Sequence, residues 1–534
     1  MKEILPAETG PIIPKFSDHA RIMLLNPNPY NLGIANLGMQ AIADYLIKRE
    51  VNISFVYPET IIQNLPLADT PDILAISLPF ETTFITSVQA IKKLGFPLRS
   101  NNRRSEHPIV IGGGMVNPMP MSDFLDAIVM GEGRKAMWDI VQKVQQGKTV
   151  GLSRNEIVQS LSEIPGVYIP SLYRFHIDDS GYVSDFQSPQ GDEIITPRPY
   201  LDLNLYPICS HWTSSIAVYG IKDYFSIMVA LGCNKKCPFC LVGNTQGGEG
   251  CQLLLISHDL ILALAQERRG RYGVSLIKLF FSSSYSDLKI LLSKLLSSGF
   301  HPRVGSLSLE QIDDELVSLI KQSGQKEIVV APETVENLRP NIEKAWIKDE
   351  YLFYTVTLCN KYDVHLTLYT MCGIPGETFD DVRRLGSLLL EVRGKLKDRL
   401  KLTVHFNQIY AKASTPLQFM EVLTPEQARE RIYLLRSVMD SSEVSFVTGI
   451  DSSLSLVQPI LARGDQRLGT VIENLSGIVR ISEKDWRIGL ENANLKLSSF
   501  FKEKETDRHL PWEHLMVQDP SHLRARYLSI KRRI

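Results

Sequence analysis

Residues 233–240 read CNKKCPFC and place three of the seven cysteines of this 534-residue chain within one short stretch. An apolar run, SIMVAL at 226–231, comes just before them and predicts a buried strand. Three thiolates on one loop can bind three irons of a cubane cluster and leave the fourth iron open. An open metal position distinguishes a reactive centre from a closed structural site. We therefore predict that Cys233, Cys237 and Cys240 bind a 4Fe-4S cluster.

A structural zinc site is the alternative interpretation of these cysteines. Such a site needs four ligands, and Cys209 or Cys251 is near enough in sequence to supply the fourth. However, zinc loops normally combine two Cys-x2-Cys pairs, and only one such pair is present in this region. The spacing therefore favours the cluster.

Beyond the cysteine loop, strands alternate with helices over residues 226–440. The six strands are predicted at 226–231, 277–282, 303–308, 327–331, 365–371 and 401–408. This alternation predicts a partial (βα)6 barrel of the TIM type. Catalytic groups are then expected at the carboxyl ends of the strands.

The N-terminal region, residues 20–148, also alternates between the two kinds of element. Strands are predicted at 21–26, 53–57, 73–78, 109–111 and 127–130, with helices at 36–49, 83–94 and 135–146. This order predicts an α/β, Rossmann-like parallel sheet that binds its ligand beyond the carboxyl ends of the strands. The triplet Gly112-Gly113-Gly114 follows the fourth strand, at such an end.

The rest of the chain divides into an N-terminal tail at 1–19, a turn-rich connector at 149–225 and a mainly helical C-terminal region at 441–534. In the last part, Arg463-Gly464-Asp465 predicts an internal salt bridge at a turn. The basic residues near the C-terminus, including Arg524 and Arg526, are expected to be a solvated helix end.

Composition limits the classes of partner. The net charge is −1, with 44% hydrophobic and 22% charged residues, which is typical of a globular protein and gives no indication of a nucleic-acid partner. No apolar stretch reaches the roughly 18 residues that a membrane span needs. The first residues lack the apolar core of a signal peptide, and seven cysteines do not make a disulfide framework. A cytoplasmic location is expected.

The cysteine spacing after a first barrel strand resembles that of the radical S-adenosylmethionine (SAM) superfamily. By this resemblance, the open iron binds the amino and carboxylate groups of SAM, and an electron from the cluster cleaves SAM to a 5′-deoxyadenosyl radical. Two further motifs carry the resemblance: VAPET at 330–334 ends the fourth strand, and GIPGET at 373–378 follows the fifth. The implied SAM contacts are Phe239, Glu333, Gly373, Ile374, Pro375 and Gly376. From the residues alone, Glu377 and Thr378 begin a helix, with Thr378 as its cap.

Two segments depart from the family pattern: the serines after the second strand, and VALGC at 229–233, where relatives more often carry an acidic residue and an arginine. Ser282-Ser283-Ser284 stands where Gly-Gly-Glu is expected after the second strand, and the hydroxyls of Ser282 and Ser283 are predicted to bond the SAM amino group. After the sixth strand, Tyr410 and Lys412 are candidate substrate or cofactor contacts, and Cys372 is a third catalytic candidate beside the glycine loop. His405, Asn407 and Gln408 alternate with apolar neighbours, so some of them are expected to face the barrel interior.

The N-terminal region resembles the cobalamin-binding domain of cobalamin-dependent radical SAM proteins. The resemblance rests on NPNPYNLG at 26–33, SLPFE at 77–81, the glycine triplet and GEG at 131–133. The implied cobalamin contacts are Asn26, Asn28, Tyr30, Asn31, Glu81, Gly112, Gly113, Gly114 and Glu132. No histidine lies between His19 and His107, so this loop supplies no histidine to cobalt. The alternative is a domain that has lost its ligand.

Together, these resemblances imply a cobalamin-dependent radical SAM methyltransferase. Such an enzyme transfers a methyl group from methylcobalamin to an unactivated carbon or to phosphorus. The expected partners are a small-molecule or peptide substrate and an electron donor such as flavodoxin or ferredoxin. The alternatives are a radical SAM enzyme that catalyses cyclisation, rearrangement or oxidation, and a non-catalytic sensor that binds cobalamin or the cluster.

Overall fold

The computed structural model describes residues 8–9, 20–61, 70–189, 195–214, 224–439, 444–450, 453–515 and 518–534. The predicted tail at 1–19 lies outside the described residues, except for a two-residue strand, Glu8–Thr9, that pairs with Thr213–Ser214. No helix in these ranges is long and apolar enough to cross a membrane.

The first large sheet has six strands in the order β2-β1-β3-β4-β5-β6. They are β1 Arg21–Leu25, β2 Asn52–Val56, β3 Ile73–Ser77, β4 Ile109–Gly113, β5 Ala127–Val129 and β6 Val167–Tyr168. The first five are parallel, and they confirm the five predicted strands. The sixth is antiparallel to β5, and its two residues are too few to form a recognisable alternating pattern in the sequence.

Helices cover both faces of this sheet because successive side chains of its strands point to opposite faces and both faces are apolar. They are α1 Leu37–Ile47, α2 Phe84–Lys93, α3 Gly133–Thr149 and α4 Arg154–Ser160. Ile22 and Leu24 of β1 share one core with α1 and α3. Met23 and Leu25 share the other core with α2. The predicted Rossmann-like architecture is confirmed.

The connector contains an antiparallel hairpin, β7 Arg174–Ile177 and β8 Val183–Gln187. Among the described residues, the partial barrel has seven parallel strands: β9 Tyr224–Met228, β10 Leu276–Phe280, β11 His301–Val304, β12 Glu327–Glu333, β13 His365–Cys372, β14 Leu402–Gln408 and β15 Ser445–Val447. The strands follow one another in this order, with a single bridge between Leu307 and Val330 joining β11 to β12. All six predicted strands are present, and the three-residue β15 is the addition.

The barrel helices lie between its strands. They are α5 His258–Tyr272, α6 Leu288–Ser297, α7 Asp314–Gln322, α8 Asp349–Tyr362, α9 Phe379–Lys395 and α10 Pro425–Val438. Alternate residues of the strands, such as Leu366 and Leu368 of β13, are fully buried in the common core. The opposite face of each strand is left for the barrel interior.

The C-terminal region is mainly helical, as predicted. Its helices are α11 Leu454–Ala462, α12 Leu468–Leu475, α13 Glu483–Asn492 and α14 Pro520–Lys531. Helix α12 packs against α2 of the first sheet, and α14 packs against the barrel segments Glu336–Ile342 and Pro416–Phe419. The C-terminal region therefore contacts both sheets.

Two predictions about this region are only partly correct. Asp465 pairs with Arg467 at 2.9 Å, whereas Arg463 donates to the carbonyl oxygen of Phe500. Lys531, Arg532 and Arg533 form the exposed helix end that was expected. Arg524 and Arg526 do not, because Arg524 pairs with Glu513 and Arg526 pairs with Glu343. Arg463 and Arg526 find their partners on other segments of the chain, which local sequence does not reveal, whereas the partner of Asp465 is only two positions away.

Candidate active site at the mouth of the barrel

The cysteine loop follows β9, and its three thiols are unpaired and partly buried. Asn244, in the short helix Leu241–Thr245, fixes the loop because its Nδ2 donates to the carbonyl oxygens of Cys237 (2.9 Å) and Cys240 (2.7 Å). At Gly243, a side chain would meet the Cα of Lys236 at 2.9 Å, so glycine allows the loop to close on the helix.

The three thiols lie in one electrostatic neighbourhood. Burial raises the pKa of Cys237 to about 12, while the Lys344 ammonium opposes the rise and the charges of Cys240, Glu333 and Cys233 add to it. Burial also raises the pKa of Cys240, although backbone N–H groups bond its sulfur and favour the thiolate. Buried thiols with N–H donors and a nearby cation are the surroundings that stabilise an iron–sulfur cluster. The residues present therefore fit the cluster.

The two cysteines considered as a fourth zinc ligand make other contacts. Over the described ranges, no three or more His, Cys, Asp or Glu side chains lie close enough to hold a single metal ion. Cys251 instead donates to the carbonyl oxygen of Asn244, and Cys209 lies beside His211, with 3.8 Å between Sγ and Nε2.

Glu333 lies beside the cysteine loop at the end of β12. A register shift between Val330 and Glu333, together with a φ of +65° at Glu333, turns the strand end. The Glu333 carboxylate contacts Lys344, whose Nζ is also 5.6 Å from the centre of the Phe239 ring. Burial acts to lower the pKa of Lys344, but the charges of Glu333 and Cys237 outweigh it and raise the value.

Lys344 is a site residue that sequence reasoning missed. It follows the irregular segment Glu336–Ile342, where no strand end or motif indicates a functional position. It is the cation that neutralises the Glu333 carboxylate beside the thiols.

The glycine loop after β13 is held by its own neighbours. Gly373 and Gly376 have φ values of +79° and +80°, which favour glycine. The Glu377 carboxylate accepts from the Gly373 N–H (3.0 Å) and from Nε of Arg431 (2.7 Å). Thr378 caps α9, as predicted. Glu377 thus fastens the loop, and burial raises its pKa.

The serines after β10 join two strands. Ser282 is 1% exposed, and its hydroxyl oxygen accepts from the Gly305 N–H at 3.2 Å, just after β11. The carbonyl oxygen of Ser283 accepts from Gln311. The hydroxyl of Ser282 therefore has a structural partner, and its predicted SAM contact stays a prediction.

The barrel interior contains an aromatic pair that the sequence reasoning did not identify. Tyr369 of β13 is 40% exposed and stacks on His405 of β14, with ring centres 4.6 Å apart and an angle of 19°. His405 and Asn407 alternate with buried neighbours on β14, whereas Gln408 lies on the buried face. The expectation that some of these polar residues face the interior therefore applies to His405 and Asn407.

The catalytic candidates have different surroundings. Cys372 is fully buried, and burial raises its pKa. Burial also raises the pKa of Tyr410. Lys412 is the most connected, because its Nζ lies 2.7 Å from both carboxylate oxygens of Glu81 and 2.5 Å from Oε1 of Gln458. This contact joins the end of barrel strand β14 to the loop after β3 of the first sheet.

The loop after β1 is stabilised internally. Oδ1 of Asn26 accepts from both the backbone N–H and Nδ2 of Asn28, each at 3.0 Å, and Asn26 is fully buried. The Tyr30 ring packs edge-on against Tyr57 at 5.0 Å. Asn31, in contrast, is exposed.

The glycine triplet and Glu132 also serve the fold. A side chain at Gly114 would come within 2.0 Å of the carbonyl oxygen of Leu78, and one at Gly112 would meet Leu125. Glu132 caps α3 and pairs with Arg134 at 2.7 Å. These residues shape the edge of the sheet, and their predicted contacts with cobalamin stay predictions.

The same edge has features that fit a large ligand. Leu32 and Phe80 follow the adjacent strands β1 and β3 and are 39% and 59% exposed, so two large apolar side chains are exposed on the loops at this edge. A narrow cavity lies next to it, between the first sheet, the loop after β14 and the C-terminal region. Its lining includes Met115, Ser414 and Trp512.

Comparisons with known proteins agree with this arrangement. The family model of the N-terminal region of radical SAM proteins matches residues 57–170, and the model of the radical SAM superfamily matches residues 227–389. An uncharacterised protein of Methanocaldococcus jannaschii is 24% identical over 475 residues, which cover 87% of this chain and 94% of that protein.

Two solved structures share the fold. The radical SAM methyltransferase TsrM from Kitasatospora setae, with cobalamin and a 4Fe-4S cluster bound, is 14% identical with a TM-score of 0.55; the match covers 90% of this chain and 99% of that one. A second TsrM structure, with tryptophan substrate and a SAM analogue bound, is 13% identical with a TM-score of 0.50 and covers 77% and 74% of the two chains.

The chain is thus a radical SAM protein, with the superfamily domain in its barrel. More specifically, it is a radical SAM enzyme, and its fold is similar to that of the methyltransferase TsrM.

Proposed function

We propose that this enzyme uses a 4Fe-4S cluster, SAM and cobalamin to transfer a methyl group to an unactivated carbon or to phosphorus of a small-molecule or peptide substrate. The observation that carries the proposal is a contact between the carboxyl-end edge of the first sheet and the carboxyl-end edge of the barrel. Lys412, after the last long barrel strand, bonds Glu81 at the carboxyl edge of the first sheet. In open α/β sheets and in barrels alike, ligands bind at these edges.

The proposed cofactors supply the difficult chemistry: a carbon radical from the cluster and SAM, and a methyl group from cobalamin. The chain contributes binding and orientation. Cys233, Cys237 and Cys240 hold the cluster. The Glu333 carboxylate, which has only acceptor oxygens, takes donors from SAM, and it pairs with Lys344 beside the thiols.

The remaining contacts orient the adenine and the substrate. The backbone of residues 373–376 would hold the adenine, because its glycines leave room for a close approach, and Phe239 would contact the adenine ring. Tyr369 and His405 line the barrel interior, where the substrate lies between the two cofactor sites. The walls of the narrow cavity exclude water from the reacting groups. A flavodoxin or ferredoxin supplies the electron.

Cofactor binding tests this proposal. The protein is purified without oxygen, reconstituted with iron and sulfide, incubated with hydroxocobalamin and desalted. We expect about four irons per chain and one retained cobalamin whose absorption spectrum lacks histidine ligation. The Cys240→Ala variant should lose iron but keep cobalamin, because the two sites lie on different domains.

The methyltransferase proposal fails if the desalted protein retains no cobalamin while binding a full cluster. In that case, the first domain has lost its ligand, and the enzyme is a radical SAM enzyme that catalyses cyclisation, rearrangement or oxidation. A chain that binds neither cofactor, although it is folded, contradicts the whole assignment.

A further inference from the structure

The C-terminal helix α14 makes polar contacts with the cysteine loop through one arginine. Nη2 of Arg526 donates to the carbonyl oxygen of Lys236 at 2.8 Å, within the loop, and Nη1 donates to Oδ1 of Asn244 at 3.3 Å. The same guanidinium pairs with Glu343. The Arg526 side chain is only 18% exposed. One cation thus binds three separate segments.

Asn244 connects this arginine to the cysteines. Its Nδ2 donates to the carbonyl oxygens of Cys237 and Cys240, and Gln518, just before α14, donates to its carbonyl oxygen at 2.9 Å. Arg526 is therefore one side chain away from two of the three predicted cluster ligands.

The third partner of Arg526 lies next to the other charged group of the site. Glu343 directly precedes Lys344, the residue that contacts Glu333. The chain end lies nearby, since a side chain at Gly376 would meet Ile534 at 3.0 Å and Arg533 donates to the carbonyl oxygen of Pro340. The end of the chain thus contacts several of the loops that surround the thiols.

We propose that Arg526 is a positioning residue that fixes the three thiolates and Lys344 relative to one another. This inference rests on the proposed binding of a cluster at Cys233, Cys237 and Cys240. Arginine suits the role because its planar fork offers five donors in a fixed geometry, whereas lysine is a point charge and cannot reach all three acceptors together. Groups that hold metal ligands in place influence both metal retention and reduction potential.

Four variants, one of them a control, test the role. Arg526→Gln removes the fork, and Arg526→Lys keeps only the charge. Lys531→Gln is the matched control on the same helix, because Lys531 is 55% exposed and pairs with Glu503 instead of with the cysteine loop. Glu343→Gln removes the charge that pairs with Arg526, and it replaces Arg526→Gln in the test if that variant fails to fold.

The first readout is amide hydrogen exchange of residues 233–245 in the chain without cofactors. We expect exchange about tenfold faster in Arg526→Gln, since at least one charge-assisted hydrogen bond to the loop is lost. Arg526→Lys should be intermediate, and the control should match the wild type. The second readout is iron per chain and the electron paramagnetic resonance spectrum of the reduced, reconstituted protein, both of which should change in the same order.

The proposal is overturned if Arg526→Gln and Glu343→Gln exchange at the wild-type rate, or if they exchange faster but retain iron and an unchanged spectrum. These outcomes are distinct from failure of the proposed function. If the wild type binds no iron, the cluster assignment fails, and the exchange experiment alone still shows whether Arg526 orders the loop.

Discussion

The contact between Lys412 and Glu81 gives a quantitative prediction. Glu81 is 1% exposed, both of its oxygens lie 2.7 Å from Nζ, and the Lys412 side chain is 18% exposed. Removing one partner of a buried pair typically costs about 3–5 kcal/mol, because the other charge stays buried alone. Since Lys412 is partly exposed, we expect Lys412→Met to cost about 3 kcal/mol, at the low end of that range. At about 2–4 °C per kcal/mol, the melting temperature falls by roughly 6–12 °C.

A double-mutant cycle with Glu81→Gln isolates the interaction. In urea unfolding followed by circular dichroism, the double variant should be less destabilised than the sum of the single variants by about 2 kcal/mol. The control is Lys143→Met, whose partner Glu163 is 69% exposed, and it should cost under about 1 kcal/mol. A coupling energy below about 0.5 kcal/mol, or a cost for Lys412→Met equal to that of the control, refutes a tightly paired junction between the two domains.

Three further predictions concern the loops, pH and metal content. Gly376→Ala places a side chain at a φ of +80°, so we expect the protein to lose about 1–2 kcal/mol of stability and to bind SAM more weakly in equilibrium dialysis. The control is Gly394→Ala, within α9, where the added side chain meets open space; it should cause neither effect. Burial lowers the pKa of Lys504 to about 7, so the unfolded chain binds more protons above that pH. The free energy of unfolding should therefore rise by about 2 kcal/mol from pH 7 to pH 9, and a wild-type slope in Lys504→Met contradicts this cause. After reconstitution, Cys251→Ala should keep its iron and Cys240→Ala should lose it; equal iron in both variants is the opposing result.

The sequence predicted the fold well because the main strands leave a local signal. The apolar runs that became β1, β3 and β13 fall within one or two residues of their observed bounds. The motif residues Glu333 and Gly373 also fall at strand ends, where the barrel pattern puts them. The three-residue strand β15 was missed, because so short an element has no period to recognise.

The site was predicted less fully, because its charges find partners across long sequence separations. Glu81 and Lys412 were each named from motifs, but they are 331 positions apart, and their pairing depends on how the domains dock. Arg526 bonds a loop residue 290 positions away. Lys344 and Tyr369 lie outside every motif. Local sequence patterns carry no information about such contacts.

The most direct test of the central claim is a product assay. The reconstituted, cobalamin-loaded protein is incubated with SAM and dithionite without oxygen, and 5′-deoxyadenosine and S-adenosylhomocysteine are measured by mass spectrometry. A cobalamin-dependent methyltransferase should form both products, with at least one S-adenosylhomocysteine per bound cobalamin, and Cys240→Ala should form no 5′-deoxyadenosine. Formation of 5′-deoxyadenosine without any S-adenosylhomocysteine contradicts methyl transfer, and formation of neither product by the loaded wild type contradicts radical SAM catalysis.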